Sequence, residues 1–174
     1  MEPTRWGIIY CPKEGIRHIH KQWDEIRQCL TEQGVLYDFV QSEGSESVER
    51  LTGMLVANGY KTIIIVGGDS ALYRALNGLL AQDENVRKDV ALGVIPNGWG
   101  NDFAHFWGFE EGHHKQTINS LVKRRVRRVD VGCCHYGEGL QNKRYFLNCV
   151  NVGLVAKMMM IKHKTRCFWG LTVM

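Results

Sequence analysis

Two short stretches of this sequence combine glycine with asparagine or aspartate in patterns that suit the binding of phosphate groups. The first is Gly67-Gly68-Asp69-Ser70, which directly follows the apolar run at residues 63–66. Glycine permits positive φ angles and lets a bulky anion approach the backbone. The free N–H groups and the dipole of a helix that begins there would also attract an anion. This turn is therefore predicted to cradle the phosphates of a nucleotide such as ATP.

Asp69 needs a separate explanation, because a carboxylate repels bare phosphate. We expect it either to hold Mg²⁺, directly or through water, or to brace the loop. The alternative for the whole turn is an ordinary helix start, in which Asp69 or Ser70 is the N-cap residue.

The second stretch reads Pro-Asn-Gly-Trp-Gly-Asn-Asp-Phe-Ala over residues 96–104. It also follows an apolar run, at residues 90–95, and also places glycines and an Asn-Asp pair where a helix is expected to begin. Ligands of parallel α/β sheets bind beyond the carboxyl ends of the strands. We therefore predict that the two turns face each other across one crevice.

The elements that would position these turns alternate along the chain. Apolar runs predict strands at Trp6–Tyr10 and at residues 35–40, 61–66 and 90–95. Helical spacing predicts helices from residue 16 to Gly34, from residue 45 to Gly59, and over residues 71–81, 101–108 and 113–123. The β-branched run at residues 63–66 is typical of a strand buried on both faces. Four β-α steps predict an α/β fold with a doubly wound, mostly parallel sheet.

The pattern changes after about residue 126. Val129, Val131 and Cys133 alternate, residues 145–150 form another apolar run, and the turn-like Gly137-Glu138-Gly139 separates the two. This arrangement predicts a β-hairpin that opens a second, antiparallel region. Residues 155–164 are ambiguous between strand and helix.

Charge is distributed unevenly. Residues 115–174 contain 12 Lys and Arg but only 2 Asp and Glu, although the whole chain has a formal net charge of +4. The cations concentrate in one run, made up of Lys123, Arg124, Arg125, Arg127 and Arg128. Such clusters attract anionic lipid headgroups, and the alternative is a solvated helix end. Nucleic acid is disfavoured, because no aromatic stacking platform accompanies the cations.

Other features of the sequence indicate a cytoplasmic protein. No apolar run approaches the roughly 20 residues of a membrane span, and the first residues do not resemble a secretory signal. The six cysteines include no Cys-x-x-Cys pair and are expected to be reduced. Peripheral contact with a membrane stays compatible with this location.

Both turns resemble the signature of one family. Residues 67–71 are similar to Gly-Gly-Asp-Gly-Thr, and residues 96–104 to Pro-x-Gly-Thr-x-Asn-Asp-Phe-Ala, in the diacylglycerol kinase catalytic domain. Sphingosine kinases, ceramide kinase and bacterial lipid kinases share this signature. Residues 72–79 look like the helix between the motifs, and residues 129–132 and 145–148 look like the first strands of the second lobe of the family.

The resemblance implies ATP-dependent transfer of the γ-phosphoryl group to a lipid hydroxyl, with Mg²⁺ as cofactor. It implies an ATP-binding lobe, like that of phosphofructokinases and NAD kinases, over residues 1–126, and the start of a truncated β-rich lobe over residues 127–174. Matched by motif, Gly67, Gly68 and Asp69 would surround the phosphates, and Gly98, Asn101 and Asp102 would form the facing wall. The general base would lie in the rest of the second lobe, so this fragment is expected to be inactive. Strand edges exposed by truncation would favour self-association.

Four positions depart from the family pattern. Ser70 replaces a glycine, Ala71 and Trp99 each replace a threonine, and Cys11 replaces the asparagine that follows the first strand. Ser70 would be strained if its position required a positive φ, and Trp99 would either stack on adenine or plug the site. These departures leave open a non-catalytic nucleotide-binding or regulatory module. A different kinase on the same architecture is a third alternative, against which the Asn-Asp-Phe-Ala motif argues.

Overall fold

The computed structural model describes residues 5–12, 19–123, 126–154, 156–158 and 160–161. The strands in these ranges are β1 (Trp6–Tyr10), β2 (Tyr37–Gln41), β3 (Thr62–Gly67), β4 (Ala91–Pro96), β5 (Gly132–Tyr136) and β6 (Asn142–Phe146). The helices are α1 (Ile19–Glu32), α2 (Ser45–Ala57), α3 (Asp69–Leu80), α4 (Glu84–Arg87), α5 (Asp102–Phe106) and α6 (His114–Val122).

The first four strands form one parallel sheet in the order β2-β1-β3-β4. Alternate residues of β3 point to opposite faces of this sheet, as the period of a strand requires. Ile63 and Ile65 belong to a core shared with α2 and α3, whereas Ile64 and Val66 belong to a core shared with α1 and α6. The predicted α/β fold with a buried central strand is therefore confirmed.

Two helix ends show why glycine is needed there. Gly34 and Gly59 have φ angles of +64° and +85°, in the left-handed region that favours glycine. After α1, the Val35 N–H donates to the Leu30 carbonyl at 3.0 Å. After α2, the Tyr60 N–H donates to the Leu55 carbonyl at 3.2 Å. The chain thus reverses out of both helices at the predicted positions.

Several predicted boundaries were wrong by a few residues. The second strand starts at Tyr37 rather than residue 35, and α3 starts at Asp69 rather than residue 71. The short helix α4 was not predicted, because its four residues are too few to show helical spacing. The predicted helix residues 16–18 lie outside the described residues.

The chain then forms the predicted antiparallel hairpin from β5 and β6. Its second strand ends at Phe146 instead of continuing to residue 150, because Phe146 is already opposite Gly132, the first residue of β5. The described residues 154, 156–158 and 160–161 are helical, while residues 155, 159 and 162–164 of the ambiguous segment lie outside the description. The predicted division of the chain after residue 126 stays a prediction.

The hairpin is attached to the first sheet through α3. The Asn77 amide nitrogen donates to the Tyr145 carbonyl at 2.9 Å, and the Asn77 oxygen accepts from the Tyr145 N–H at 3.0 Å. A second link joins Arg144 to the Glu49 carboxylate at 2.8 Å. The helix that begins at the first glycine turn therefore also holds the edge of β6.

Candidate functional site

The two predicted site turns leave the sheet side by side. Strands β3 and β4 are paired in parallel with Gly67 opposite Pro96, so both end at the same level. One further bond continues the ladder past that pair, from the Asn97 N–H to the Gly67 carbonyl at 3.0 Å. The end of β1 lies beside them, since the Cys11 N–H donates to the Val66 carbonyl at 2.8 Å. The carboxyl edge of the sheet therefore brings three chain segments together.

The turns touch each other directly, and no crevice separates Gly68 from Gly98. A Cβ atom added to Gly98 would lie 2.3 Å from the Gly68 Cα, and one added to Gly68 would lie 2.9 Å from the Gly98 Cα. Gly68 has a φ of −97°, which other residues also adopt. Gly68 therefore does not use the positive φ that glycine permits, and what requires glycine at this contact is the close approach of two backbones.

Asp69 joins the two turns from the other side. One carboxylate oxygen accepts from the Asp102 N–H at 2.8 Å, and the other accepts from the Phe103 N–H at 3.0 Å. Both donors belong to the first turn of α5, where backbone N–H groups have no partner within the helix. Asp69 therefore braces the loop, one of its two predicted roles, by capping a helix 33 residues away in the chain.

The start of α3 differs from the predicted alternative. Its N-cap residue is Gly68 rather than Asp69 or Ser70, and the cap makes no side-chain hydrogen bond. Ser70 lies in the first helical turn and is exposed, and it is not among the described residues with positive φ. The strain that a positive φ would cause at Ser70 is therefore absent. Ala71 is buried, with only 5% of its surface exposed. A Cβ atom added to Gly67 would lie 2.9 Å from the Ala71 Cβ.

Asn101 fixes the shape of the second turn. It adopts a left-handed conformation with φ of 59° and ψ of 32°, which asparagine tolerates better than most residues. Its side-chain oxygen accepts from the Gly98 N–H at 2.9 Å, and its amide nitrogen donates to the Gly98 carbonyl at 3.0 Å. Asn101 is 3% exposed, so this ring of bonds is shielded from water. Its role in the structure is to hold Gly98 against Gly68.

Trp99 and Asp102 lie at the outer side of the junction. The Trp99 side chain is 70% exposed, so it does not plug the contact between the turns. It borders a cleft of about 390 Å³ whose lining also includes Asn101, His105, Glu110 and Glu111. Asp102 is exposed at the first position of α5. Its carboxylate is therefore accessible to a ligand that reaches the turns.

Asn97 is a polar residue of this junction that was not among the predicted site residues. It is 2% exposed, and its amide nitrogen lies 3.5 Å from the Cys11 carbonyl. Its side-chain oxygen has no hydrogen-bond partner among the described residues. A buried acceptor without a partner is unusual in a folded protein. The signal in the sequence was an asparagine directly after the strand-ending Pro96.

Cys11 occupies the position next to Asn97 at the end of β1. Burial raises the pKa of its thiol above the ordinary value. The thiol therefore stays protonated and neutral at physiological pH, and it adds no negative charge to the junction.

The junction fits an anion together with Mg²⁺. A carboxylate such as that of Asp69 has about four acceptor positions, of which backbone N–H groups use two, so Asp69 retains capacity to hold the ion through water. No group of three or more His, Cys, Asp or Glu side chains suited to a metal occurs in the part of the chain that the structure describes. A Mg²⁺ ion here would thus depend on phosphate and water ligands, which this ion commonly retains.

The basic run leads from α6 toward the hairpin. Lys123, Arg127 and Arg128 are exposed, while Arg124 and Arg125 lie outside the described residues. The Arg127 guanidinium carbon lies 5.6 Å from the centre of the Trp107 ring, within the range of a cation–π contact. None of the described helices is long and apolar enough to cross a membrane.

The part of the chain that builds this junction matches a known protein family. The diacylglycerol kinase catalytic domain matches residues 5–134, which include both turns, all four parallel strands and the start of the hairpin. The chain is therefore a member of the diacylglycerol kinase catalytic domain family, a family of lipid kinases.

Individual relatives agree with this assignment. The chain is 24% identical to Diacylglycerol kinase of Bacillus subtilis over 154 residues, covering 88% of this chain and 47% of the relative. It is 27% identical to Sphingosine kinase B of Dictyostelium discoideum over 105 residues, covering 60% of this chain and 14% of the relative.

A solved structure shares the fold. The crystal structure of a diacylglycerol kinase from Bacillus anthracis matches with a TM-score of 0.69 and 22% identity, covering 85% of this chain and 47% of that one. The chain spans about half the length of the bacterial relatives it matches.

Proposed function

We propose that this chain forms the ATP-binding lobe of a lipid kinase, which transfers the γ-phosphoryl group of ATP to the hydroxyl of diacylglycerol or a related lipid. The observation that carries the proposal is the junction of Gly67, Gly68 and Asp69 with Gly98 and Asn101. There, backbone N–H groups at the start of α3 are available to phosphate, and Asp69 and Asn101 hold the two turns in place. The names of the relatives support lipid as the acceptor.

Within this proposal the residues have distinct tasks. The first turn of α3 holds phosphate oxygens through N–H groups and the helix dipole. Ser70, at its exposed start, borders the bound phosphates. Asp69 holds Mg²⁺ through water, and Asp102 and Trp99 form the outer wall. Mg²⁺, when bound, neutralises charge that develops on the transferred phosphoryl group.

Substitution of Ser70 tests the phosphate site without weakening the fold. Ser70→Glu places a carboxylate in the first turn of α3. Its interaction with the helix dipole stabilises the fold by about 0.3–1 kcal/mol, but the carboxylate repels phosphate. Ser70→Gln is the matched control, since it has the same size and no charge. Titration calorimetry with Mg-ATP is expected to show at least about tenfold weaker binding for Ser70→Glu, which is about 1.4 kcal/mol, and little change for Ser70→Gln.

The outcomes separate the parts of the proposal. If the folded wild-type chain binds no Mg-ATP, the nucleotide-binding role of this lobe is wrong. If both Ser70 variants bind as the wild type does, the phosphates are not at the α3 turn. Transfer from γ-labelled ATP to diacylglycerol in mixed micelles, measured with a chain that spans the full length of the relatives, tests the kinase reaction.

The departures from the family signature favour one second candidate, a nucleotide-binding module without catalysis. Ala71 and Trp99 lack the hydroxyl groups expected at their positions. Suppose that a chain spanning the full length of the relatives binds Mg-ATP but transfers no phosphate to lipid. Trp99→Thr combined with Ala71→Thr should then restore transfer. Failure to do so would leave the binding module as the function.

The proposed partners are a nucleotide and a lipid at a membrane surface, engaged in part by Lys123, Arg124, Arg125, Arg127 and Arg128. The proposed location is cytoplasmic with peripheral contact to the membrane. Self-association is a further part of the proposal, and size-exclusion chromatography over a range of protein concentrations tests it.

A further inference from the structure

A cluster of aromatic side chains lies on the surface at α5. Phe106 ends this helix with 80% of its surface exposed. Its ring meets the Trp107 ring edge-on with centroids 5.2 Å apart, and the Phe103 ring lies 6.3 Å from Trp107 on a tilted plane. The inner rings are partly covered, and Phe106 projects outward from them. A large apolar ring this exposed at the edge of an aromatic cluster suits insertion into an apolar phase.

Arg127 contacts this cluster, and two further cations lie near Arg127 in the chain. The Arg127 guanidinium lies over Trp107, and Lys123 and Arg128 are exposed in the same segment of chain. No ion pair joins any of these three cations to a carboxylate among the residues that the structure describes. Their charge is therefore available to an external anion. Aromatic rings beside unpaired cations are the composition of membrane-surface elements.

We propose that Phe106 and Trp107, together with Lys123, Arg127 and Arg128, form an aromatic–basic patch that docks on an anionic phospholipid membrane. Phe106 enters the boundary between headgroups and acyl chains, and the three cations contact lipid phosphates. This patch deepens the proposed lipid kinase function and rests on it for its purpose. The residues that define the patch are not residues of the nucleotide site.

Glu110 and Glu111 line the cleft beside Trp99, and an anionic surface repels both carboxylates. In this proposal the cleft therefore stays outside the contact with the membrane.

The geometry favours a membrane over single-stranded nucleic acid. Nucleic acid of that kind needs a series of open ring faces on which successive bases stack. Arg127 already lies over the Trp107 ring, and the neighbouring phenylalanines pack against its sides. Within the cluster of Phe103, Phe106 and Trp107, only the Phe106 ring is well exposed, which suffices for insertion into lipid but not for a stacking series.

Vesicle co-sedimentation tests the proposal with the chain as it is. The probes are vesicles of phosphatidylcholine alone and of phosphatidylcholine mixed with phosphatidylglycerol. The wild-type chain should sediment with the mixed vesicles and much less with the neutral ones. Phe106→Ser should weaken binding to the mixed vesicles on the order of tenfold, and Arg127→Gln combined with Arg128→Gln should weaken it by at least as much.

Matched controls use residues outside the patch. Val86→Ser removes another exposed apolar side chain, on α4. Lys61→Gln combined with Lys88→Gln removes two exposed cations, which lie directly before β3 and directly after α4. Both controls should bind vesicles as the wild type does. Thermal unfolding checks that each variant is folded, which is expected for Phe106→Ser because its ring is outside the core.

Three results would overturn the inference: a wild type that ignores anionic vesicles, patch variants that bind like their controls, or an oligonucleotide that binds the patch more tightly than the vesicles do. Calorimetry with Mg-ATP on the same variants keeps this inference separate from the proposed function. Loss of vesicle binding with unchanged ATP affinity supports the patch. A wild type that binds vesicles but not Mg-ATP overturns the nucleotide site and leaves the patch standing.

Discussion

Replacement of Asp69 by alanine should destabilise the fold even when no ligand is present. The carboxylate accepts two backbone hydrogen bonds from the first turn of α5, at 2.8 and 3.0 Å. Loss of a helix cap costs about 0.5–2 kcal/mol. The upper end of that range applies here, because two donors lose their partner and the Phe103 N–H is partly buried. We therefore expect a loss of about 2 kcal/mol in the free energy of unfolding, by the same rule.

Thermal unfolding converts this loss into a measurable shift. In a chain of this size each kcal/mol lowers Tm by about 2–4 °C, so Asp69→Ala should unfold about 4–8 °C below the wild type. Asp69→Asn retains one acceptor oxygen, so its Tm should lie between those of the wild type and Asp69→Ala. The measurement is made by circular dichroism without nucleotide or Mg²⁺, so that binding cannot contribute.

Asp102→Ala is the matched control for Asp69→Ala. It removes a carboxylate from the same junction, but the Asp102 side chain has no hydrogen bond among those found in the described residues. Its only expected effect is the loss of a favourable charge at the start of α5, about 0.3–1 kcal/mol. If Asp69→Ala unfolds at the same temperature as Asp102→Ala, the bracing role assigned to Asp69 is incorrect.

Three further predictions concern other contacts. Gly98→Ala should cost about 1–3 kcal/mol through overpacking against Gly68, measured by urea unfolding, whereas Gly100→Ala meets its nearest atom at 3.3 Å and should cost less. Asn77→Leu should leave the Tyr145 N–H and carbonyl without their partners, and hydrogen exchange should show faster exchange of the Tyr145 amide with little change at Ile64. Burial lowers the pKa of His114 below its ordinary value of 6.5, although Glu25 and Glu111 oppose this. The unfolded chain therefore binds the proton first, so stability should fall as the pH drops below about 6.5; His114→Gln should flatten that decline, and an equal slope in both proteins would contradict it.

The secondary structure and the position of the two glycine turns could largely be predicted from the local sequence. The β-branched run at residues 63–66 predicted a strand with both faces covered, and Ile63 to Val66 are buried on alternate faces. Gly34 and Gly59 marked the ends of two helices correctly, because a left-handed residue at that position has a strong local preference for glycine. Short elements such as α4 were missed, since four residues contain barely one helical period.

The contacts that build the site were decided by tertiary structure. The sequence showed that Asp69 follows two glycines, but its partners are N–H groups of α5, which depend on the parallel register that sets Gly67 opposite Pro96. The close contact of Gly68 with Gly98 depends on the same register. Residue spacing records the period of one helix or strand, whereas a register between strands results from packing across the whole core. The sequence therefore determined which residues meet at the edge of the sheet, and the tertiary structure decided which atoms bond there.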